Sequence, residues 1–321
     1  MLPLNVRLMA KIAPWAAALR SRAAGWPMAL LCAVALGDLA GLVASTHGAG
    51  TGLARPSAPG AGAGQPAGVR VALYRVVGCR SRGQAAYVHG PARREVAIGF
   101  DDGPAPDTRA FVTMLERSKA RATFFMIGRQ VGAQYRTTLL RELGDGDALG
   151  DHSFTHPYLT QSSRVRTELA QTIGAIRSVS GYTPCVFRPP YGAYDPAVVR
   201  TARSLGLATV LWNADPRDWA LPGVRAIERQ VLDQVRPGSI IISHDGGGPR
   251  GETLAAYPSI IASLRARGYR IVTIPELLGF RPVYVPCVLL CEGIGLPRRQ
   301  LPRDAIIAKA PYAYSRSRNG G

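Results

Sequence analysis

The sequence predicts an α/β fold in which helices cover a parallel sheet of about seven strands. From Val69 onward, short apolar runs alternate with longer amphipathic segments, the order that βα units produce in a parallel sheet. Histidines and acids follow several of these runs directly, and parallel α/β sheets and barrels build their sites at the C-terminal strand ends. These patterns alone fit a sheet that is open or closed into a barrel.

Seven short apolar runs are candidate strands because polar or turn residues bound them. They are Val96 to Phe100, Ala122 to Ile127, Ala148 to Gly150, Val186 to Arg188, Ala208 to Trp212, Ser239 to Ser243 and Arg270 to Ile274. Five segments with apolar residues at helical spacing are candidate helices. They are Thr108 to Ser118, Val165 to Ser178, Pro196 to Leu205, Ala226 to Val235 and Ser259 to Arg267.

The size and charge of the chain limit its function. The 321 residues, 47% of them hydrophobic, suffice for one large domain with extensions. The formal net charge of +18 favours acidic partners such as anionic cell-wall polymers or membrane surfaces. We predict no specific nucleic-acid binding, because aromatic residues do not alternate with the arginines. The sequence does not predict an oligomeric state.

The N-terminal part has the order of an export signal. Lys11, Arg20 and Arg22 precede an apolar stretch at residues 28–46. The stretch is also close to the length that spans a bilayer, although Asp38 would be costly in hydrocarbon. The alternative to a signal or an anchor is a buried hydrophobic helix. We expect an exported protein, secreted or membrane-anchored, with its main domain outside the cytoplasm. Cleavage or retention of the stretch is left open.

Changes in composition divide the chain into five segments. Gly, Ala, Pro and Ser dominate one stretch and predict a flexible linker, and apolar periodicity is lost after Phe280. The predicted segments are a basic segment with a signal peptide or anchor at 1–46, the linker at 47–68, an N-terminal flank at 69–94, the catalytic domain at 95–280 and a Cys-containing basic tail at 281–321.

Four cysteines follow the apolar stretch, namely Cys79, Cys185, Cys287 and Cys291. An even number in an exported chain predicts disulfides, and four cysteines allow three pairings. Since Cys79 precedes the first core strand and the last two follow the final one, a bridge between the flanks is one hypothesis. We predict no zinc at Cys287 and Cys291, because no second Cys or His pair accompanies them.

Two groups of polar residues at strand ends indicate a metal site. Asp101 and Asp102 follow an apolar strand directly, and adjacent carboxylates repel unless they share a cation or a proton. His152 and His156 are four residues apart, so on a helical turn both imidazoles would point to one side. Two nitrogens and one carboxylate oxygen would leave a position open for water, as in catalytic metal sites. The alternatives are a solvated acidic turn and core histidines.

Three further groups follow later strands. Arg188 can hold a carboxylate through two hydrogen bonds, and the prolines and glycine after it can aim a peptide N–H into a cavity. The segment from Asp215 to Trp219 offers acids and a ring that could pack on a sugar, and His244 follows a very apolar strand. A surface turn, a polar loop and a structural histidine are the respective alternatives.

The order of these five motifs resembles the polysaccharide deacetylases of carbohydrate esterase family 4, the NodB-type domain. That family carries T-F-D-D-G-P, H-[ST]-x-x-H, R-x-P-Y-G, D-x-x-D-W and L-x-H. This chain has G-F-D-D-G-P, H-S-F-T-H, R-P-P-Y-G, D-P-R-D-W and I-S-H, and the likeness runs from about Glu95 to Phe280. The resemblance implies a distorted (β/α) barrel of about seven parallel strands with its site at the C-terminal strand ends.

The resemblance also implies an activity, the removal of N-acetyl groups from an acetylated polysaccharide. Peptidoglycan is preferred to chitin-like oligosaccharide, other N-acetylated glycans and acetylxylan, because the chain is basic and carries an export pattern. A divalent metal is implied, Zn²⁺ by preference, with Co²⁺, Mn²⁺ and Ni²⁺ as alternatives. The resemblance implies that Asp102, His152 and His156 bind the metal. It implies that Asp101 abstracts a proton with the support of Arg188, and that His244, tuned by Asp218, donates one. The Tyr191 peptide N–H would stabilise the oxyanion, and Pro190, Tyr191 and Trp219 would contact the substrate.

Three departures and two rival functions accompany this hypothesis. Ile242 replaces the Leu of the last motif, a position that is not expected to supply a ligand. Gly99 replaces the Thr of the first motif, so we expect looser surroundings for the base, and Asp151, often Asn in the family, should add negative charge beside the metal. A catalytically inactive carbohydrate-binding module on the same fold would lack the base or a metal ligand, yet all are present. Two-metal phosphoesterases need more carboxylate and His ligands than the motifs supply.

Overall fold

The computed structural model describes residues 74–82, 86–286 and 306–307. Its strands are β1 (Tyr74–Arg80), β2 (Glu95–Gly103), β3 (Thr123–Met126), β4 (Ala148–Asp151), β5 (Val186–Phe187), β6 (Ala208–Thr209), β7 (Ile240–His244), β8 (Arg270–Val272), β9 (Arg281–Pro286) and β10 (Ile306–Ile307). A curled parallel sheet has the order β6-β5-β4-β3-β2-β7, and β8 also pairs with β2. All seven of its strands overlap predicted ones, so the predicted fold class is confirmed.

The two edges of the curled sheet meet beside β7. The backbone N–H of Asn213 donates to Ile240 O over 3.1 Å, and that of Ile242 donates to Ala214 O over 3.0 Å. Ala214 and Ile241 form an isolated parallel bridge. Because this bridge takes the place of a full ladder between β6 and β7, the barrel is distorted.

Seven helices surround the sheet in the described ranges. They are α1 (Thr108–Ser118), α2 (Arg136–Asp145), α3 (Val165–Ser180), α4 (Pro196–Ser204), α5 (Val224–Gln234), α6 (Gly251–Ala266) and α7 (Ile274–Leu277). Helix α6 begins eight residues before its predicted start at Ser259. The buried residues Ala256 and Tyr257 continue its apolar stripe to Ile260, and this burial outweighs the backbone donor that Pro258 lacks. Helices α2 and α7 were not predicted.

Alternation along the strands separates two buried layers. In β2, Val96 and Phe100 belong to a cluster that includes residues of the covering helices α1 and α6. Ala97 belongs to a second cluster, together with Val186 of β5 and Ile240 of β7. Successive side chains of a strand point to opposite faces, so the second cluster marks the inner face of the curled sheet.

The same alternation places the polar residues of the motifs inside. Steps of two residues lead from Ala97 to Asp101 and from Ile240 to His244. One such step leads from Val186 to Arg188, directly after β5. The inner face therefore collects a carboxylate, a guanidinium and an imidazole at one end of the sheet.

Regular structure also occurs on both sides of the predicted catalytic domain. β1 pairs antiparallel with β9, and β10 pairs parallel with β9. The loss of periodicity after Phe280 indicated no strand there, and this interpretation is wrong for residues 281–286. Pairing with a segment about 200 residues earlier in the chain stabilises β9, and no local pattern reports such pairing. The five segment boundaries stay predictions.

A disulfide joins Cys79 of β1 to Cys185, which directly precedes β5. The hypothesis of a bridge from Cys79 to the C-terminal cysteines is therefore wrong, and backbone pairing joins the two flanks instead. Cys287 and Cys291 lie outside the described residues, as do the apolar stretch at 28–46 and the linker at 47–68. In the described part of the chain, no helix has the length and apolar character needed to cross a membrane.

We predict that the double variant Cys79→Ser/Cys185→Ser is destabilised by about 2–4 kcal/mol, because the bridge restricts a long loop of the unfolded chain. Urea unfolding without reductant measures the change, with Cys287→Ser/Cys291→Ser as the matched control. An unchanged urea midpoint, or free thiols at Cys79 and Cys185 in oxidised protein, would contradict the bridge.

Candidate active site

Three side chains converge at the C-terminal ends of β2 and β4. Asp102 lies near the end of β2, His152 directly follows β4, and His156 lies in the same loop. His152 Nε2 is 3.5 Å and His156 Nε2 is 3.3 Å from Asp102 Oδ1. Among the described residues, this is the group of three side chains whose ligand atoms lie close enough to hold one metal ion.

The distances of the two Nε2 atoms from Asp102 Oδ1 fit a single divalent cation. Ligand atoms about 2.0–2.1 Å from a tetrahedral Zn²⁺ lie about 3.4 Å from one another. Asp102 Oδ1 is buried and has no hydrogen-bond partner in the described part of the chain. An unpaired buried carboxylate oxygen is costly, and a cation would remove that cost. Asp102, His152 and His156 therefore fit a metal by both geometry and chemistry.

The second ring nitrogen of each histidine is held in place. His152 Nδ1 donates to the carbonyl oxygen of Arg188 over 2.7 Å. His156 Nδ1 donates to the hydroxyl oxygen of Tyr191 over 3.1 Å. Such bonds fix the tautomer and the orientation of metal-binding imidazoles, and they leave both Nε2 atoms free to ligate.

The loop that carries the histidines is not helical, so the predicted helical turn is wrong. Ser153 and His156 have positive φ angles of 62° and 64°. Glu168 of α3 accepts hydrogen bonds from the backbone N–H groups of Phe154 over 2.9 Å and Thr155 over 2.7 Å. These bonds from a neighbouring helix shape the loop and bring the imidazoles together.

Asp101 lies beside Asp102, His152 and His156, the candidate metal group, and forms an ion pair with a buried arginine. Arg188 Nη1 donates to Asp101 Oδ1 over 2.7 Å, and the Arg188 side chain is 0% exposed. The guanidinium carbon lies 4.2 Å from the centre of the Phe125 ring. The other oxygen, Asp101 Oδ2, lies 3.8 Å from His152 Nε2. The ion pair thus fixes the carboxylate and leaves one oxygen towards the metal group.

Gly99 makes room for this arginine. A Cβ atom at Gly99 would lie 2.6 Å from Arg188 Nη1 and 2.7 Å from Nη2. A carbon and a nitrogen that are not bonded do not approach so closely without one of them moving. The expectation of looser surroundings for Asp101 is therefore wrong, because the guanidinium occupies the space beside Gly99.

His244 of β7 lies opposite Asp101 of β2 in the parallel register. Its Nδ1 donates to Asp218 Oδ1 over 2.8 Å, and Thr253 donates to Asp218 Oδ2 over 2.9 Å. Burial alone would lower the pKa of His244, but the hydrogen bond and charge of Asp218, with the charges of Asp101 and Asp102, raise it. A raised pKa keeps the imidazole protonated, as a proton donor requires.

The pKa values of Asp102 and His152 shift as mutual attraction requires, whereas burial and the charge of His152 lower the pKa of His156. Burial alone would raise the pKa of Asp102, but the imidazole of His152, 3.5 Å away, and the charges of His244 and His156 lower it below its usual range. Burial would lower the pKa of His152, yet the charges of Asp101 and Asp102 raise it. Positive charge therefore stabilises the carboxylates here, and a divalent cation would supply the same charge.

Two buried acids nearby have pKa values above their usual range. Burial raises the pKa of Asp151 well above its usual range, so the predicted extra negative charge beside the metal is not favoured. Asp151 Oδ1 instead accepts a hydrogen bond from the Ser153 backbone over 2.8 Å. Burial raises the pKa of Asp245 to about 7, despite a hydrogen bond from Thr108, and the charges of Asp102 and Asp101 add to the rise.

The other predicted site residues differ in their solvent exposure and in their contacts. Pro190 is buried, whereas Tyr191 is 56% exposed beside the metal group. Trp219 is 52% exposed, and Arg217 Cζ lies 5.3 Å from the centre of its ring. Asp215 Oδ1 accepts from the Arg217 backbone N–H over 2.7 Å, so Asp215 shapes the turn and reaches no member of the metal group through a described contact.

Sequence reasoning missed two supporting residues. Glu168 holds the histidine loop, and the signal was present, since an acid lies on the buried side of α3 beside Leu169 and Thr172. Thr253 orients Asp218, but it lies before the predicted start of α6, so no periodic pattern covered it.

We predict that His152→Ala lowers the bound divalent metal from one equivalent per chain to near zero, because one of three ligands is lost. Metal analysis of protein loaded with Zn²⁺ and then desalted measures this. His89→Ala is the control, since His89 bridges to Ser239, before the N-terminal end of β7. Equal metal content in all three proteins would contradict the ligand set.

Comparison with known proteins gives the same family from sequence and from structure. A family model described as polysaccharide deacetylase matches residues 89–210. A peptidoglycan-N-acetylglucosamine deacetylase of Bacillus cereus is 40% identical over 192 residues, 58% of this chain and 89% of that protein. A chitooligosaccharide deacetylase of Azorhizobium caulinodans is 35% identical over 208 residues, 60% of this chain and 98% of the relative.

Solved structures agree with these relatives. A peptidoglycan N-acetylglucosamine deacetylase superposes with a TM-score of 0.59 and 30% identity, over 61% of this chain and 94% of its own. A CE4 family pseudoenzyme from Bacillus anthracis superposes with a TM-score of 0.56 and 26% identity, over 61% of this chain and 70% of its own. This chain therefore belongs to the polysaccharide deacetylases of carbohydrate esterase family 4.

Proposed function

We propose that this protein is an exported, metal-dependent hydrolase that removes N-acetyl groups from an acetylated cell-wall polysaccharide. One observation carries the proposal. The Arg188–Asp101 ion pair lies beside the candidate cation-binding group, and His244 of β7, which is paired with Asp218, lies opposite Asp101. A fixed base, a metal-ligand set and a proton donor with a raised pKa are the groups that amide hydrolysis needs.

The proposed cation is Zn²⁺, with Co²⁺, Mn²⁺ and Ni²⁺ as alternatives, bound by Asp102, His152 and His156. Two imidazole nitrogens and one carboxylate oxygen are a ligand set that suits zinc. A divalent cation in this position would polarise the acetyl carbonyl and would lower the pKa of the attacking water.

The side chains of this chain move the protons. Asp101 accepts a proton from the attacking water on Oδ2, because Arg188 engages Oδ1. His244 donates a proton from Nε2 to the leaving nitrogen, while Asp218 holds Nδ1. The amide C–N bond breaks, and acetate and a free amine leave. The Tyr191 peptide N–H is the proposed donor to the oxyanion.

The rim of the site supplies the sugar contacts. Trp219 exposes about half of its side chain, and an exposed aromatic face suits the apolar C–H face of a pyranose ring. Pro190, which is buried and directly precedes Tyr191, is also a proposed substrate contact. These assignments make the substrate a polysaccharide, with the acetylated unit at the metal group.

Peptidoglycan is the preferred substrate, and chitin-like oligosaccharide or acetylxylan are the alternatives. The basic-then-apolar N-terminal segment supports export, either secreted or anchored through residues 28–46. The net charge of +18 favours an anionic cell wall. Relatives named for peptidoglycan and for chitooligosaccharide both act on N-acetylated sugars.

An inactive carbohydrate-binding module is the second candidate function. The pseudoenzyme from Bacillus anthracis makes this alternative concrete, since it shares the fold. An enzyme is supported because Asp101 is paired with Arg188, His244 is paired with Asp218, and the three proposed metal ligands lie together.

We predict that Asp101→Asn lowers the rate of acetate release about a hundred- to ten-thousandfold, because an amide cannot accept the proton of the water. Acetate released from peptidoglycan, chitin oligosaccharides and acetylxylan measures the rate and identifies the substrate.

Asp215→Asn is the matched control, since Asp215 lies in the same region but only shapes a turn. An unchanged rate in Asp101→Asn would refute the mechanism. A wild-type protein that binds glycan and releases no acetate from any of these polymers would support the binding module.

A further inference from the structure

We propose that Tyr158 and Tyr191 form an aromatic platform that binds the sugar unit next to the one being deacetylated. The proposal rests on the proposed function and adds a specificity-determining residue, Tyr158, that none of the five motifs contains. The occupant is a pyranose ring of the same polysaccharide chain.

The two rings lie face to face at the surface. Their centroids are 4.0 Å apart, and their planes differ by 15°. Tyr158 is 49% exposed and Tyr191 is 56% exposed. Two large aromatic side chains thus hold each other in one orientation while much of their surface stays open to solvent.

The platform adjoins the metal group through Tyr191. The His156 and Tyr191 ring centroids are 4.7 Å apart. Tyr191 is linked to His156 twice, since its hydroxyl accepts from Nδ1 over 3.1 Å and donates to the carbonyl oxygen over 3.4 Å. A sugar bound over Tyr158 therefore lies two rings beyond a proposed metal ligand. This is a neighbouring unit of the polymer, not the reacting one.

Tyr158 has no evident packing role that would explain its position. In the ranges that the structure describes, its hydroxyl makes no hydrogen bond, and its ring contact is the stack on Tyr191. The next residue, Leu159, is buried and anchors the backbone. Exposed tyrosines next to a site supply rigid, amphipathic contact area at low entropic cost.

The chemistry of the platform selects a carbohydrate. One face of a pyranose ring presents C–H groups that pack on an aromatic ring, and its hydroxyls can bond a tyrosine hydroxyl. The stack itself carries no charge that would select an ionic group. We therefore expect the platform to contribute to the binding of long substrates and to leave short ones unaffected.

The test compares wild type, Tyr158→Ala and Tyr158→Phe, all loaded with Zn²⁺. The probes are N-acetylglucosamine as a single sugar and its β-1,4-linked five-unit oligomer, with both kcat/KM for acetate release and binding by calorimetry measured. Tyr158→Ala should weaken kcat/KM and affinity for the five-unit oligomer about three- to tenfold. It should leave the values for the single sugar, which has no neighbouring unit, and the metal content unchanged. Tyr158→Phe, which keeps the stack, should resemble wild type.

Two results would overturn the platform. Equal affinity and kcat/KM of wild type and Tyr158→Ala for the five-unit oligomer would show that no sugar contacts Tyr158. An equal loss for the single sugar and the five-unit oligomer would assign Tyr158 to positioning Tyr191 and His156 instead. If wild type released no acetate, the proposed function would fail, and the binding measurement alone would decide the platform.

Discussion

The buried Arg188 connects the base to the metal group, and the rest of the site depends on it. Its guanidinium donates to Asp101, while its backbone carbonyl accepts from His152. One residue therefore fixes the proposed base and one proposed ligand relative to each other. A fully buried guanidinium is tolerated only with a charge partner and close packing, and Asp101, Phe125 and the gap at Gly99 supply these.

This constraint follows from the sheet. Alternation along β2, β5 and β7 turns Asp101, Arg188 and His244 to the inner face, where apolar side chains would otherwise continue. Strand β2 continues past Asp101, since Gly103 still pairs with Met126 of β3, and Asp102 lies at the irregularity between these pairs. The site is thus partly built on strand backbone, which holds side chains more rigidly than a loop does.

The strands and the motif residues could be predicted because their signals are local. Apolar runs mark the strands, and the five motifs place every proposed catalytic and metal-binding residue. The conformation of the histidine loop could not be predicted, because Glu168 of another element shapes it. The pairing of β1 with β9 and the bridge from Cys79 to Cys185 depend on contacts between distant segments. The role of Gly99 required the position of a side chain on another strand.

The central claim is that one divalent cation, held by Asp102, His152 and His156, makes this site hydrolytic. The most direct measurement is acetate release from an N-acetylated glycan after chelation and dialysis, followed by titration with Zn²⁺. Acetate release should disappear with the metal and return in full at about one equivalent of Zn²⁺ per chain. Undiminished acetate release from metal-free protein would contradict this claim.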